Sequence, residues 1–341
     1  MKKEISQRIT IFGFVMTCII VFYHCGTPKI AISSFDEKWN TYLGTVFDGL
    51  AVLAMSWFFT ITGFLLFYNL TLSNYLIKIK SRMVSLLVPY LLWQIIYVIK
   101  SLVSGGDFSG KYFMDTVFLL EQWPPAGQLW YLYAVFLLAL LSPIFLLIFK
   151  KKKVGILTPW FLVLVIVILT YRIWFLSSDI AIAFRTYGYI PNILMYFPAY
   201  IVGAFYGYFV KDGDDSSLKY CVSMIFVAFM FEGLYEGITF DILIRMLPIF
   251  ILYLFPIREF MVDRKVYKLS FLVYALHQLF KGECLGCIRN FISQIIPYAI
   301  VSNVFGRFLY LFVVIGIASV MYMVLKKVCP KGLKLLTGGR G

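Results

Sequence analysis

The residues from Ile9 to Cys25 read ITIFGFVMTCIIVFYHC, a run with no Asp, Glu, Lys or Arg, preceded by Lys2, Lys3 and Arg8. A hydrocarbon core about 30 Å thick is crossed by about 20 apolar residues of helix, so this run has nearly the length of a span by itself. It has company along the whole chain. With the first span set at 9–26, further apolar runs fall at 45–69, 83–100, 128–149, 154–174, 189–210, 220–236, 239–257, 269–281 and 298–325. Read as spans, they predict about ten transmembrane helices. Composition agrees, since 61% of residues are hydrophobic, 14% are charged and the mean hydropathy is +0.86. The expectation is an all-α, polytopic integral membrane helix bundle forming one domain over residues 1–341, with no soluble domain left over. The start MKKEISQR has the basic flank of a signal peptide, but the run behind it lacks a small-residue cleavage site, which predicts a retained anchor.

A net charge of +14 raises the question of nucleic acid, and the answer lies in where the 31 Lys and Arg fall. Twenty-one of them sit on alternate connections: Lys2, Lys3 and Arg8; Lys78, Lys80 and Arg82; Lys150 to Lys153; Lys211 and Lys219; Arg258, Arg264, Lys265 and Lys268; Lys326, Lys327, Lys331, Lys334 and Arg340. That is the positive-inside pattern with both termini cytoplasmic, so the charge reports topology and argues against a nucleic-acid partner. LLIFKKKK ends the fourth run and KDGDDSS follows Val210, both as polar breaks. The two runs flanking Gly237 read as one hairpin or as a disturbed region. The longest outward connection, 101–128, holds the apolar piece FMDTVFLL and ends between Trp123 and Trp130, which are placed as interfacial aromatics would be. After the ninth run, GECLGCIRNFISQIIP alternates at helical spacing and predicts a helix on the outer surface or folded back into the protein. No internal repeat supports an inverted-repeat transporter. Cys284 and Cys287 form one CxxC with no second pair and no nearby His, so they read as a disulfide or two free thiols, and no metal site is expected.

Ionisable groups within a membrane are costly and mark function by default. Those in or at the ends of the runs are His24, Asp48, Arg172, Glu232, Glu236, Arg245, His277, Glu283 and Arg307. His24 lies about 24 Å of helical rise beyond Arg8, in the outer part of the membrane, whereas His277 lies only about 12 Å into its run. A buried neutral imidazole can take the proton of a hydroxyl as a general base, or can simply hydrogen-bond a neighbouring helix. Glu232 and Glu236 share a helix face and read as partners of Arg245. Thr62-Gly63 can supply a donor to a developing oxyanion or let two helices pack closely. Trp130 and Tyr131 can stack on a sugar or adenine or anchor at the interface, and Arg172 and Arg185 can grip an anionic glycan or anchor at the bilayer surface.

Five patches, in order, resemble the membrane acyltransferase-3 family. They are VMTCIIVFYHC around His24; Trp57-Phe58-Phe59-Thr60-Ile61-Thr62-Gly63-Phe64-Leu65, with Thr62 at the usual Ser; Lys80-Ser-Arg82 followed by Val88-Pro89-Tyr90; Leu129-Trp130-Tyr131-Leu132 through Ser142-Pro143; and Ser270-Phe271-Leu272-Val273-Tyr274-Ala275-Leu276-His277. Two departures accompany them. Gly13 stands where many members carry Arg eleven residues before the first His, and LWYLYAV lacks the Glu of one branch. The chain therefore resembles the shorter branch, the one that includes the enterobacterial common antigen O-acetyltransferase.

The resemblance implies a multi-pass enzyme of the bacterial cytoplasmic membrane that moves an acyl group, most often acetyl, from cytoplasmic acyl-CoA to a hydroxyl of a cell-envelope glycan or its lipid-linked precursor. It implies acyl-CoA as donor substrate with no bound cofactor, and glycan and membrane lipids as the other partners. Under it, His24 is the base and His277 positions or relays. Arg82, Arg258, Arg264, Lys265 and Lys268 meet the CoA phosphates, with Thr62 and Gly63 at the thioester; as bare charges, those cations serve orientation alone. Trp130, Tyr131, Arg172 and Arg185 face the acceptor. The competing class is a transporter or flippase of polysaccharide or polar lipid, and a third is an inert membrane scaffold.

Overall fold

A computed structural model describes residues 1–26, 34–118, 124–150, 156–175, 190–213, 215–233, 236–262, 264–295 and 299–340. Trp123 and Arg185 lie outside them. Among the described residues every regular element is helical. Five helices among the described residues are long and apolar enough to cross a membrane, or up to seven if each of two bent pairs counts as one span. This is fewer than the ten predicted, because several runs break into pieces. The fourth becomes Gly127–Leu140 and Ser142–Phe149, bent by 46° where Pro143 enters the second piece.

The chain divides into two compact units, one of residues 1–9 and 55–260, the other of residues 10–54 and 261–341. In the first, the inner half of α2 (Ser34–Phe67) packs along α9 (Ile190–Phe205) and the π-helical turn Tyr206–Val210 that continues it. The seam is built on missing side chains. A Cβ on Gly63 would come 2.3 Å from the carbonyl oxygen of Tyr200, one on Gly203 2.0 Å from that of Thr60, and one on Gly207 2.2 Å from that of Phe64. Thr60 Oγ1 donates to the carbonyl of Ala199 at 3.2 Å across the same seam. Small residues thus let two backbones touch, which is how helices without a hydrophobic driving force associate in lipid.

The helical span of residues 75–103 comprises α3 (Tyr75–Arg82), a π-helical turn and α4 (Val88–Val103). Behind it the long connection does not stay at the surface. It forms α5 (Gly110–Val117), capped by Ser109, and its return is buried: Tyr90 Oη donates to the Val117 carbonyl at 3.0 Å, and the Ala126 amide donates to Gln94 Oε1 at 2.7 Å. Buried side-chain donors and acceptors satisfy the irregular backbone that lipid would not tolerate. Trp130 opens α6 (Trp130–Leu140) only 8% exposed, beside Phe59 and Tyr196, so it is packed inside the protein and is not the interfacial anchor that its loop position suggested. α7 (Ser142–Phe149) and α8 (Leu157–Phe175) follow.

α10 (Lys219–Met230) and α11 (Ile238–Leu254) form the hairpin around Gly237, whose φ of 83° suits a residue without a Cβ. Glu232 accepts from the amides of Gly237 at 2.6 Å and Thr239 at 2.8 Å, capping the start of α11. The expected pairing of Glu232 or Glu236 with Arg245 is therefore replaced. Arg245, 1% exposed, bonds Asp241 one turn earlier at 2.9 Å, because Glu232 is already held by the free amides of the helix start. Arg8 is also taken, donating to the carbonyls of Phe255 and Leu252 at the end of α11.

The second unit is organised by α1 (Lys3–His24) and α12 (Ser270–Leu276). The Thr17 and Ser270 hydroxyls lie 2.8 Å apart and 2.9 and 3.2 Å from the Gly13 carbonyl, so one hydroxyl donates to the other while the other donates to Gly13. Seven residues further along each helix, His24 meets His277. The two helices thus run parallel and in register. α13 (Lys281–Ile295) is the amphipathic helix predicted after them, and it folds back: Leu285 and Ile292 are each 3% exposed, and Ile292 packs toward Gly306 of α14 (Ala299–Val328). α15 (Pro330–Thr337) ends the chain.

Candidate active site

His277 Nε2 lies 2.9 Å from His24 Nδ1, and His277 Nδ1 lies 2.7 Å from the Tyr274 carbonyl oxygen. A carbonyl only accepts, so His277 Nδ1 carries the proton and its Nε2 presents a lone pair. His24 must then donate from Nδ1. What remains is His24 Nε2, unprotonated, at the far end of a chain set by a backbone carbonyl. This is the tautomer a general base needs, fixed by the logic by which a third group orients a base in hydrolytic triads. His277 is fully buried and Tyr310 Oη donates to its carbonyl oxygen, which holds the end of α12 in place.

The depths assigned from sequence, about 24 Å for His24 and about 12 Å for His277, placed the rings apart. They are adjacent because α12 does not start level with Arg8. Ser270 starts opposite Gly13 and Thr17, so the two-turn rise from Ser270 to His277 matches that from Thr17 to His24.

Two arginines hold the end of α1. Arg307, 1% exposed, donates from Nε to Asn303 Oδ1 at 3.2 Å, from Nη1 to the Phe22 carbonyl, and from Nη2 to the Gly26 carbonyl at 2.8 Å, with its guanidinium 4.1 Å from the Phe47 ring. Arg289 donates from Nη2 to the carbonyls of Cys25 and Gly26, both at 2.8 Å. Helix C-termini leave carbonyls without intrahelical partners, and cations there also meet the negative end of the helix dipole. His24 is thus anchored on both sides along its own backbone. Lys281, at the start of α13, is within electrostatic reach of both imidazoles. Burial first, and then the charge of Arg289, hold the Lys281 ammonium below the ordinary lysine range, with the Cys25 thiol opposing. Arg307 stood among the intramembrane charges without a role, and Arg289 was missed. Its signal was a position eight residues from Lys281 on one amphipathic helix.

The other residues singled out from sequence gather elsewhere. In the first unit Thr62 Oγ1 and Tyr131 Oη are 2.5 Å apart, and Tyr131 Oη donates to the Phe58 carbonyl at 2.9 Å, so the Thr62 proton goes to Tyr131. Half-buried Arg82 has Tyr200 and Tyr131 within electrostatic reach, and Tyr200 Oη, fully buried, has no partner among the described residues. Trp130 packs on Phe59, as does Tyr131. Gly63 serves the helix seam. Arg258 in the first unit is exposed, and Arg264, Lys265 and Lys268 in the second are exposed at the entrance to α12. Arg172 belongs to α8, with its side chain outside the described residues. Cys284 and Cys287 are free thiols, and among the described residues no three His, Cys, Asp or Glu converge on a metal-sized site.

A family model described as an acyltransferase domain, that of the acyltransferase-3 proteins, matches residues 13–323. The chain belongs to the membrane acyltransferase-3 family. The match begins at Gly13 on α1 and runs into α14, so both histidines, Arg289 and Arg307 lie inside it. No curated protein and no solved structure matches the chain. The protein is accordingly a multi-pass membrane acyltransferase, one that transfers groups other than amino-acyl groups.

Proposed function

We propose that this membrane acyltransferase is an O-acyltransferase of the cytoplasmic membrane, taking an acyl group, most simply acetyl, from cytoplasmic acyl-CoA to a hydroxyl of a cell-envelope glycan or its lipid-linked precursor. The observation that carries the reading is the histidine pair, whose hydrogen-bond order leaves His24 Nε2 as a free lone pair. In the step, the acceptor hydroxyl gives its proton to His24 Nε2 and its oxygen attacks the thioester carbonyl carbon. The tetrahedral intermediate then collapses with cleavage of the C–S bond, and the proton passes from His24 to the leaving thiolate to give CoA thiol. His277 holds the tautomer and shares the charge while His24 is protonated. The exposed cations Arg264, Lys265 and Lys268 at the entrance of the helix that ends in His277 suit CoA phosphates, since ammonium and guanidinium groups are their usual partners.

The test is transfer from labelled acetyl-CoA in membranes at matched expression. His24→Ala should lower it by about 10²–10⁴-fold, the usual worth of a positioned base. Unchanged transfer removes the base assignment. A glycan mass difference of one acyl group between a deletion strain and its parent supports donor and acceptor together. Movement of glycan across intact vesicles without CoA consumption would replace the reading with transport.

A further inference from the structure

The end of α1 carries more positive charge than its caps require. Arg289 Nη2 and Arg307 Nη2 each lie 2.8 Å from the same Gly26 oxygen, so the two guanidiniums are no further apart than twice that distance. Arg307 commits all three of its nitrogens, to Asn303, Phe22 and Gly26. Arg289 commits only Nη2, which leaves Nε and Nη1 without an acceptor among the described residues. Lys281 lies close enough to Arg289 to feel its charge, and among the described residues it makes neither a side-chain hydrogen bond nor an ion pair. No described carboxylate pairs with any of the three. Asp48, whose field reaches this end of α1, acts on Tyr23. A helix C-terminus offers about half a negative charge, enough to explain one arginine and not three half-buried or buried cations. The two guanidiniums on the Gly26 oxygen repel one another, and Lys281 adds to that charge, unless an anion is brought between them.

We propose that Lys281 and the uncommitted edge of Arg289 form a seat for an anionic group, a phosphate or a carboxylate, carried by the acyl acceptor beside the hydroxyl that His24 deprotonates. The guanidinium edge gives a planar pair of donors and the ammonium a third, a set that matches either oxyanion and holds it next to the base. A neutral sugar would gain nothing from this charge. The role of the bound molecule rests on the acyl-transfer reading above, whereas its binding does not.

The full chain in phosphatidylcholine nanodiscs, supplied with labelled acetyl-CoA, is assayed with glucose, glucose 6-phosphate and glucuronate as probes. The expected result is a KM for at least one anionic probe about tenfold below that for glucose, the loss of one charge-assisted hydrogen bond being worth about that factor. The preference should vanish in Lys281→Gln and return in Lys281→Arg. Preference for the phosphate alone points to a phosphorylated or phosphate-linked acceptor, and preference for the carboxylate alone to an acidic sugar. Equal KM values, or a preference that survives Lys281→Gln, overturn the proposal. Arg289→Gln removes caps of α1 and can fail to fold, whereas Lys281→Gln breaks no hydrogen bond and keeps the test decisive. Should no acceptor be turned over, calorimetric titration with the two anions decides instead. Binding that is lost in Lys281→Gln keeps the seat and removes the acyl-transfer role, and no binding removes the seat.

Discussion

Two regions carry the family-like patches, and they are built on opposite principles. Around His24 and His277 each polar group is placed by another polar group: Tyr274 sets His277, His277 sets His24, and two arginines set the carbonyls flanking His24. Along the Thr60–Phe64 stretch placement comes from absence, with three glycines letting α2 and α9 touch backbone to backbone. The first arrangement tolerates changes of volume but not of hydrogen-bonding order. The second tolerates changes of polarity but not of volume. A shared motif set therefore combines residues that are present for chemistry with residues that are present for closeness.

The largest expected effect separates them directly. His277→Ala leaves His24 free to turn and take the other tautomer, so acyl transfer at matched amounts of folded protein should fall by about 10²-fold or more, beyond the stability lost by emptying a buried site. A rate unchanged at matched expression would make His277 an ordinary packed residue. Gly63→Ala should do the converse, costing about 1–3 kcal/mol or more because the new Cβ meets the Tyr200 backbone, which cannot swing away as a side chain would. Thermal unfolding in detergent reads this, and a wild-type melting temperature would mean that the seam relaxes.

A smaller loss tests the register that joins the histidines. Ser270→Ala deletes bonds to Thr17 and Gly13 and should cost about 1 kcal/mol, with transfer falling more than stability predicts if the α1–α12 register aims the rings. Equal, proportional losses would reduce the bond to a simple contact. The smallest effect is on pH. Hydrogen bonds from Thr239 and Gly237 hold the Glu232 carboxyl below its ordinary value. A depressed carboxylate contributes stability above its ordinary value, near pH 4.5, and loses it as pH falls through the lower folded value. Hydrogen exchange at the first turn of α11 should therefore quicken below that range, and Glu232→Gln should flatten the dependence.

Much of this was legible in the chain. Apolar length gave helices where they stand, because a backbone in lipid must satisfy its own hydrogen bonds. Gly63 and the two histidines were picked out by residue type. What stayed hidden depends on where one helix starts relative to another. His24 and His277 were assigned depths from their own flanks, and nothing local to either tells that Ser270 begins opposite Thr17. The spacing was nevertheless in view, since Thr17 to His24 and Ser270 to His277 are both seven residues. The buried return of the 101–128 connection was hidden for a similar reason. Gln94 and Tyr90 look like ordinary span residues until the backbone they bind is known.

The parallel course of α1 and α12 also acts as a parity rule on the chain between them. Both helices are entered from the face that bears the lysines and arginines and both deliver a histidine to the other face, so an odd number of crossings must separate Gly26 from Ser270. No single helix can be added to that set or struck from it. Lys2 and the N-terminus also meet Asp212, just past α9, and Arg8 meets the end of α11, so α10 can cross only together with α11.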